Sequence, residues 1–220
     1  MSSTIDYHNI NPLKNNKYFY LGCYEKMRIV SGKYKNKRLQ APKGHNTRPT
    51  SDKIRAALFN ILNHANWHAS DTDLLDGAFI LDLFAGTGAL GLEALSRGGE
   101  HLIAVETDRE AFQILTQNTQ TLNCHEQTQI FTWDATTPKK RPPNTPARTL
   151  VFIDPPYRQG LGATALTAFA EADWLKEGAI CIIEAAKNAP ESVSDPAFDQ
   201  IDHRIYGDTT LTIYRYSPKT

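Results

Sequence analysis

From Phe79 onward, short, mostly apolar runs in this 220-residue chain alternate with stretches of helical period. The pattern predicts strands over Phe79–Phe84, Leu102–Val105, Gln129–Thr132, Leu150–Ile153 and Ala179–Ile183. It predicts helices over Ala89–Ser96, Arg109–Leu122 and Leu161–Ala170, with Asp108 placed to cap the second. A closing pair, Ile201–Ile205 and Thr210–Tyr214, flanks Gly207-Asp208. Apolar runs separated by helices are the mark of strands buried on both faces of a mostly parallel sheet. The expectation is an α/β fold: a mixed, mostly parallel seven-stranded sheet with helices on both faces.

The segment ahead of that pattern is built differently. Two short β-prone runs within Arg28–Leu39, around Lys35-Asn36, predict a hairpin. Pro42, Gly44 and Pro49 then break the chain. Thr50 or Ser51 can cap a helix whose apolar positions are Ile54, Ala57, Leu58, Ile61 and Leu62, with Lys53 and Arg55 off that stripe. Residues 1–26 are polar and rich in Asn, and a disordered extension is expected there. A start assigned upstream of Met27 would account for it. The expected organisation is thus an extension (1–26), a hairpin and helix (27–65) and an α/β domain (66–220).

Charge gives the second segment a meaning. The chain is formally neutral, with 24 Lys+Arg against 24 Asp+Glu. Residues 26–55, however, hold ten basic residues and one acid, Asp52, while residues 56–220 hold 12 basic and 21 acidic groups. A +9 stretch joined to a −9 body suggests a polyanion-binding segment. On charge alone, a solvated lysine-rich loop explains it equally well. Cys23, Cys124 and Cys181 are scattered thiols without ligand spacing, which fits a reduced, cytoplasmic setting and no metal site. Neither a signal-peptide pattern nor an apolar run of membrane-spanning length is present.

Gly86-Thr87-Gly88-Ala89-Leu90-Gly91 follows the first strand and opens a helix. It matches GxGxxG, which suits either the pyrophosphate of a nicotinamide dinucleotide or the amino-acid part of S-adenosylmethionine. Asp82, four residues before Gly86, separates the two readings. A carboxylate there repels a pyrophosphate and attracts an ammonium or sulfonium; a purely structural, buried cap is the plainer alternative for it. Glu106 at the end of the second strand can accept from both ribose hydroxyls, whichever nucleoside is bound. Asp134, after the third strand, is placed to accept from an adenine amino group and could equally serve a turn.

The fourth strand runs into Asp154-Pro155-Pro156-Tyr157. In a doubly wound sheet, ligands lie at the carboxyl ends of strands near the switch in strand order, so this tetrapeptide should face the glycine loop. The prolines remove two donors and leave the Asp154 carboxylate and Pro155 carbonyl as acceptors beside an aromatic ring. That set suits an exocyclic amine on a heteroaromatic base: both N–H groups are held while positive charge develops on nitrogen. Tyr157 would stack on the base, which must be unpaired or flipped out to reach it.

Asp154–Tyr157 together with Asp82–Gly88 resembles the amino-group methyltransferases. The longer runs Asp82–Arg97, Met27–Lys33 and Arg48–Asn60 are similar to the RsmD family, bacterial 16S rRNA guanine-N2 methyltransferases, from Met27 to about residue 216. The resemblance implies a Rossmann-like S-adenosylmethionine-dependent methyltransferase fold. It places the cofactor along Asp82, Phe84, Ala85, Gly86, Thr87 and Gly88, with Glu106 and Thr107 at the ribose and Asp134 and Ala135 at the adenine. It gives catalysis to Asp154, Pro155, Pro156 and Tyr157. The implied partner is 16S rRNA in the 30S subunit or an assembly intermediate, met by a monomer without a metal. On that reading Arg28, Lys33, Lys35, Lys37, Arg38, Arg48, Thr50, Lys53 and Arg55 grip phosphates. Tyr34 either stacks on a base or packs the hairpin. Three rivals stay open at this point: a DNA adenine or cytosine methyltransferase, a nicotinamide dehydrogenase, and a non-catalytic RNA-binding assembly factor.

Overall fold

The computed structural model describes residues 27–41, 52–64, 67, 73–156 and 159–218. The extension expected over 1–26 and the candidate site residues Arg48, Thr50 and Tyr157 lie outside the described residues. Strands β1 (Phe79–Leu83), β2 (His101–Val105), β3 (Thr128–Phe131), β4 (Arg148–Ile153), β5 (Leu175–Ala186), β6 (Phe198–Tyr206) and β7 (Thr209–Tyr216) form one sheet. Their order is β3-β2-β1-β4-β5-β7-β6. The five strands β1 to β5 are parallel, and β7 pairs antiparallel with both β5 and β6. This is the mixed, mostly parallel sheet that the patterning predicts. Strand order reverses between β1 and β4, which are hydrogen-bonded neighbours.

Period-two alternation divides the core between the two faces. Ile80, Leu102, Ala104, Leu150, Phe152, Ile180 and Ile182 point to one face, where they join Leu58, Phe59 and Leu62 of helix α1 (Asp52–His64). Helix α2 (Ala89–Ser96) adds Leu92 and Leu95 there, and α3 (Arg109–Thr121) adds Leu115. Leu81, Leu83, Ile103, Val105, Val151, Ile153 and Ile183 point the other way, against Ala165, Leu166 and Phe169 of α4 (Leu161–Glu171) and against Trp174. Asp108 caps α3 as expected, accepting from Ala111 N at 2.8 Å.

Two expectations for the basic segment are corrected. The hairpin exists as an antiparallel arm, but Arg28↔Arg38 is its single bridge and neither side is a strand. Its backbone is instead bonded to α2. Glu93, fully buried, accepts from Val30 N at 2.7 Å and Ser31 N at 3.0 Å, and Ser96 Oγ accepts from Tyr34 N at 2.9 Å. Met27, Ile29, Tyr34 and Leu39 belong to the same apolar cluster as the sheet, so the described residues of this segment share the sheet's core. The second correction concerns α1. Its buried positions are Arg55, Leu58, Phe59 and Leu62, a stripe rotated from the expected one so that Arg55 lies on it.

Candidate active site

The glycine loop and the tetrapeptide leave adjacent strands at the same level. Leu83 of β1 is in register with Ile153 of β4, and Asp154 N donates to Leu83 O at 3.4 Å. The switch in strand order thus lies between the two sequence motifs, as the topology rule requires.

The loop begins with a backbone irregularity that sequence did not signal: Phe84 has φ 60, in the left-handed region that disfavours a side chain. Gly86 and Gly88 follow with φ 55 and 83, and a side-chain carbon at Gly86 would meet nothing within 4 Å. Open space above Gly86 is what a cofactor lying along this loop requires. Ala85 N donates to Val105 O at 3.0 Å, which fixes the loop against the end of β2. Thr87 is half-buried, its hydroxyl donating to Met27 Sδ at 3.4 Å.

Asp82 is 2 % exposed and accepts from Gly91 N at 2.9 Å, so it does cap the start of α2. Its carboxyl is nonetheless pushed up to about 8, first by burial and then by the negative charges of Asp154 and Glu106. The cap bond is made by one carboxylate oxygen, Oδ2. A carboxyl strained in this way becomes ionised when a cation is placed beside it.

Glu106 is half-buried and does more than the sequence implied. Oε2 accepts from Gly86 N at 2.7 Å and Oε1 from Asp108 N at 2.7 Å. Each carboxylate oxygen keeps a second lone pair, so ribose hydroxyls can still be received. Asp134 is exposed and forms a turn, its Oδ1 accepting from Thr136 N at 2.8 Å and Thr136 Oγ1 at 2.7 Å. Those two bonds hold its carboxyl below the usual range. Ala135 is buried and Thr107 is exposed. In the tetrapeptide Asp154 is half-buried, Pro155 buried and Pro156 exposed.

Of the described phosphate-gripping candidates, Arg28, Lys33, Lys35, Lys37, Arg38 and Lys53 are all exposed. Of the two alternatives for Tyr34 the packing one holds: it is 6 % exposed and packs in the core, with Lys33 Nζ 5.1 Å from its ring centroid. One phosphate-gripping candidate is corrected. Arg55 is 1 % exposed; its Nη2 donates to Arg28 O at 2.8 Å and Asp52 Oδ1 at 2.6 Å. It anchors the arm from beneath and does not reach for phosphate.

Glu93, Ser96 and Asn118, which no motif marks, are buried and carry the arm. Only Asn118 carried a signal, a polar residue on the stripe of Ala111 and Leu115 in α3, whereas α2 is buried nearly all round and marks neither Glu93 nor Ser96.

The fold and this site define a methyltransferase of the Rossmann-like, S-adenosylmethionine-dependent class. Among the described residues no group of three or more His, Cys, Asp or Glu could hold a metal ion, and no helix is long and apolar enough to cross a membrane. The chain belongs to the family described as Conserved hypothetical protein 95, the RsmD family, whose model matches residues 27–215. YlbH of Bacillus subtilis (strain 168) is 35 % identical over 196 residues, covering 86 % of this chain and 98 % of that protein. The ribosomal RNA small subunit methyltransferase D of Haemophilus influenzae is 33 % identical over 165 residues, covering 74 % of this chain and 81 % of that one. The solved structure of yhhF from Escherichia coli superposes with a TM-score of 0.71 at 26 % identity, covering 88 % of this chain and 99 % of that chain.

Proposed function

We propose that this protein transfers a methyl group from S-adenosylmethionine to the exocyclic N2 amine of one guanine in 16S rRNA, within the 30S subunit or an assembly intermediate in the cytoplasm. The observation that carries the reading is the convergence of Asp82, Glu106 and Asp154 at the switch in strand order, with the last two charges raising Asp82. Such a cleft favours a cation and repels a pyrophosphate, which removes the dehydrogenase reading. Names of relatives, small-subunit rRNA methyltransferases among them, support the RNA substrate.

The cofactor supplies a methyl group on a cationic sulfur. Asp82 receives that end of it, the Phe84–Gly88 loop gives it a backbone bed, Glu106 and Thr107 meet the ribose, and Asp134 and Ala135 border the adenine. Asp154 and the Pro155 carbonyl accept the two N–H bonds of the guanine amine. This holds the nitrogen at the geometry from which its lone pair can attack and stabilises the positive charge that develops there. The surplus proton passes to Asp154 or to solvent. Pro156 stiffens the turn, and Tyr157 stacks on the extruded base. Arg28, Lys33, Lys35, Lys37, Arg38 and Lys53, with Arg48 and Thr50, position the backbone without reading sequence.

The test is methyl transfer to 30S particles from a strain lacking this enzyme, with modified nucleosides identified by mass spectrometry. N2-methylguanine at one position is expected, and Asp154→Ala should lose on the order of 10²-fold or more in turnover while still binding cofactor. Undiminished turnover by that variant would refute the assignment of Asp154. Methylation of DNA and not of the particles would transfer the activity to the DNA enzymes that share the tetrapeptide.

A further inference from the structure

The arm of residues 27–41 meets the glycine loop at both of its ends. At one end Met27 Sδ accepts from Thr87 Oγ1 at 3.4 Å. At the other end the contact passes through Asn118 of α3, which is fully buried. Its Oδ1 accepts from Gln40 N at 2.7 Å, and its Nδ2 donates to Gln40 O at 3.2 Å and to Thr87 O at 3.0 Å. Both N–H bonds of one amide are therefore committed, one to the arm and one to the loop. Asn118 follows Ala111 and Leu115 on the buried stripe of α3, where an apolar residue would satisfy packing. A buried amide persists there only with its hydrogen bonds made.

A second connection runs through α2, whose first turn is set by Gly88 and whose last turn carries the arm. Glu93 holds Val30 and Ser31, Arg97 Nε donates to Glu93 Oε1 at 2.7 Å, and Ser96 O accepts from Lys33 N at 2.6 Å. The loop that would bed the cofactor and the arm that would meet phosphate are thus one hydrogen-bonded body, joined at its centre by a short, stiff side chain.

We propose that Asn118 is a positioning residue that couples the two binding faces, so that occupancy of the cofactor loop tightens binding of RNA by the arm and the reverse. The inference rests on the function proposed above. A ligand that fixes the Thr87 carbonyl fixes the amide, and the amide fixes the Gln40 peptide; by linkage the enhancement is equal in both directions.

The experiment measures S-adenosylhomocysteine binding by equilibrium dialysis, with and without saturating unmodified 30S particles, and particle binding with and without S-adenosylhomocysteine. In the wild-type protein each ligand should raise the affinity of the other by the same factor, within roughly 5–150-fold. In Asn118→Ala and in the near-isosteric Asn118→Asp that factor should fall to about one. Leu122→Ala, a buried truncation at the end of the same helix (Leu122 is 3 % exposed), should keep the wild-type factor despite lost stability. Without any variant, adding S-adenosylhomocysteine should slow amide exchange at residues 29–40. A wild-type factor of one, or Asn118 variants that retain the wild-type factor, overturns the coupling. Failure of the wild-type protein to bind S-adenosylhomocysteine at all overturns the functional reading and the coupling together.

Discussion

Asp82 is where a single ionisation links folding to ligand binding. In the folded, ligand-free chain its carboxyl keeps its proton up to about pH 8, against an ordinary value of 3.8. Between those two values the folded state holds a proton that the unfolded chain has released. Stability from this group therefore falls as pH rises across the window and levels off above about 8. Asp82→Asn removes the group, so the variant should gain stability relative to wild type between pH 5 and pH 8, read as a difference in denaturant midpoints. The same proton must leave when a cation binds beside it. Cofactor affinity should rise through pH 6 to 8 more steeply in wild type than in Asp82→Asn, by up to ~10-fold per unit. The cofactor's own ionisation is common to both proteins, so the difference between the two profiles isolates Asp82. Parallel profiles would show that the carboxyl is already ionised.

Among the elements, the arm and α2 depend on a close approach that one glycine permits. A side-chain carbon at Gly32 would lie 1.8 Å from Ser96 O, and its φ of 80 is already in the left-handed region. Gly32→Ala should therefore lift the turn of the arm off α2. Backbone strain of this kind costs ~1–3 kcal/mol, which at ~2–4 °C per kcal/mol for a chain this size lowers Tm by several degrees. An unchanged Tm in a thermal melt would show that the arm is not held there. The strands and α2–α4 were legible because buried runs and helical periods carry their own signal, and Asp108 even marked a cap. The arm was legible as charge and turn residues only. Its fastenings are Glu93, Ser96 and Asn118, whose partners lie 62 to 78 residues away in the chain. Arg55 was misplaced for a related reason: arginine carries no apolar signal, yet its stem and head fill a core position beneath Arg28. At the candidate site the topology rule foretold where the two motifs meet, at the ends of β1 and β4. The left-handed Phe84 and the ties from Glu106 to Gly86 and Asp108 are backbone facts that no residue type announces.

Across the whole molecule, formal neutrality conceals an uneven distribution of charge. The arm shares its core with the sheet, so deleting it would strip Met27, Ile29 and Leu39 from the apolar cluster that contains Leu58 and Phe59. Its charges, by contrast, lie outside that core and can be changed without unpacking it. Lys33, Lys35 and Lys37 are exposed, and the segment they occupy is fastened to the last turn of α2 through Glu93 and Ser96. Each lost phosphate contact should shallow the slope of log affinity against log salt by ~0.7–0.9. Replacing Lys33, Lys35 and Lys37 together by Gln should thus reduce the slope for 30S binding by roughly 2–3, most of the affinity loss appearing at low salt. S-adenosylhomocysteine affinity in the absence of particles should stay at its wild-type value, because the bonds that tie the glycine loop and α2 to the arm use Met27, Gln40 and backbone groups and not the side chains of these lysines. A slope identical to wild type would return the basic stretch to a solvated loop and move the RNA contact elsewhere on the molecule.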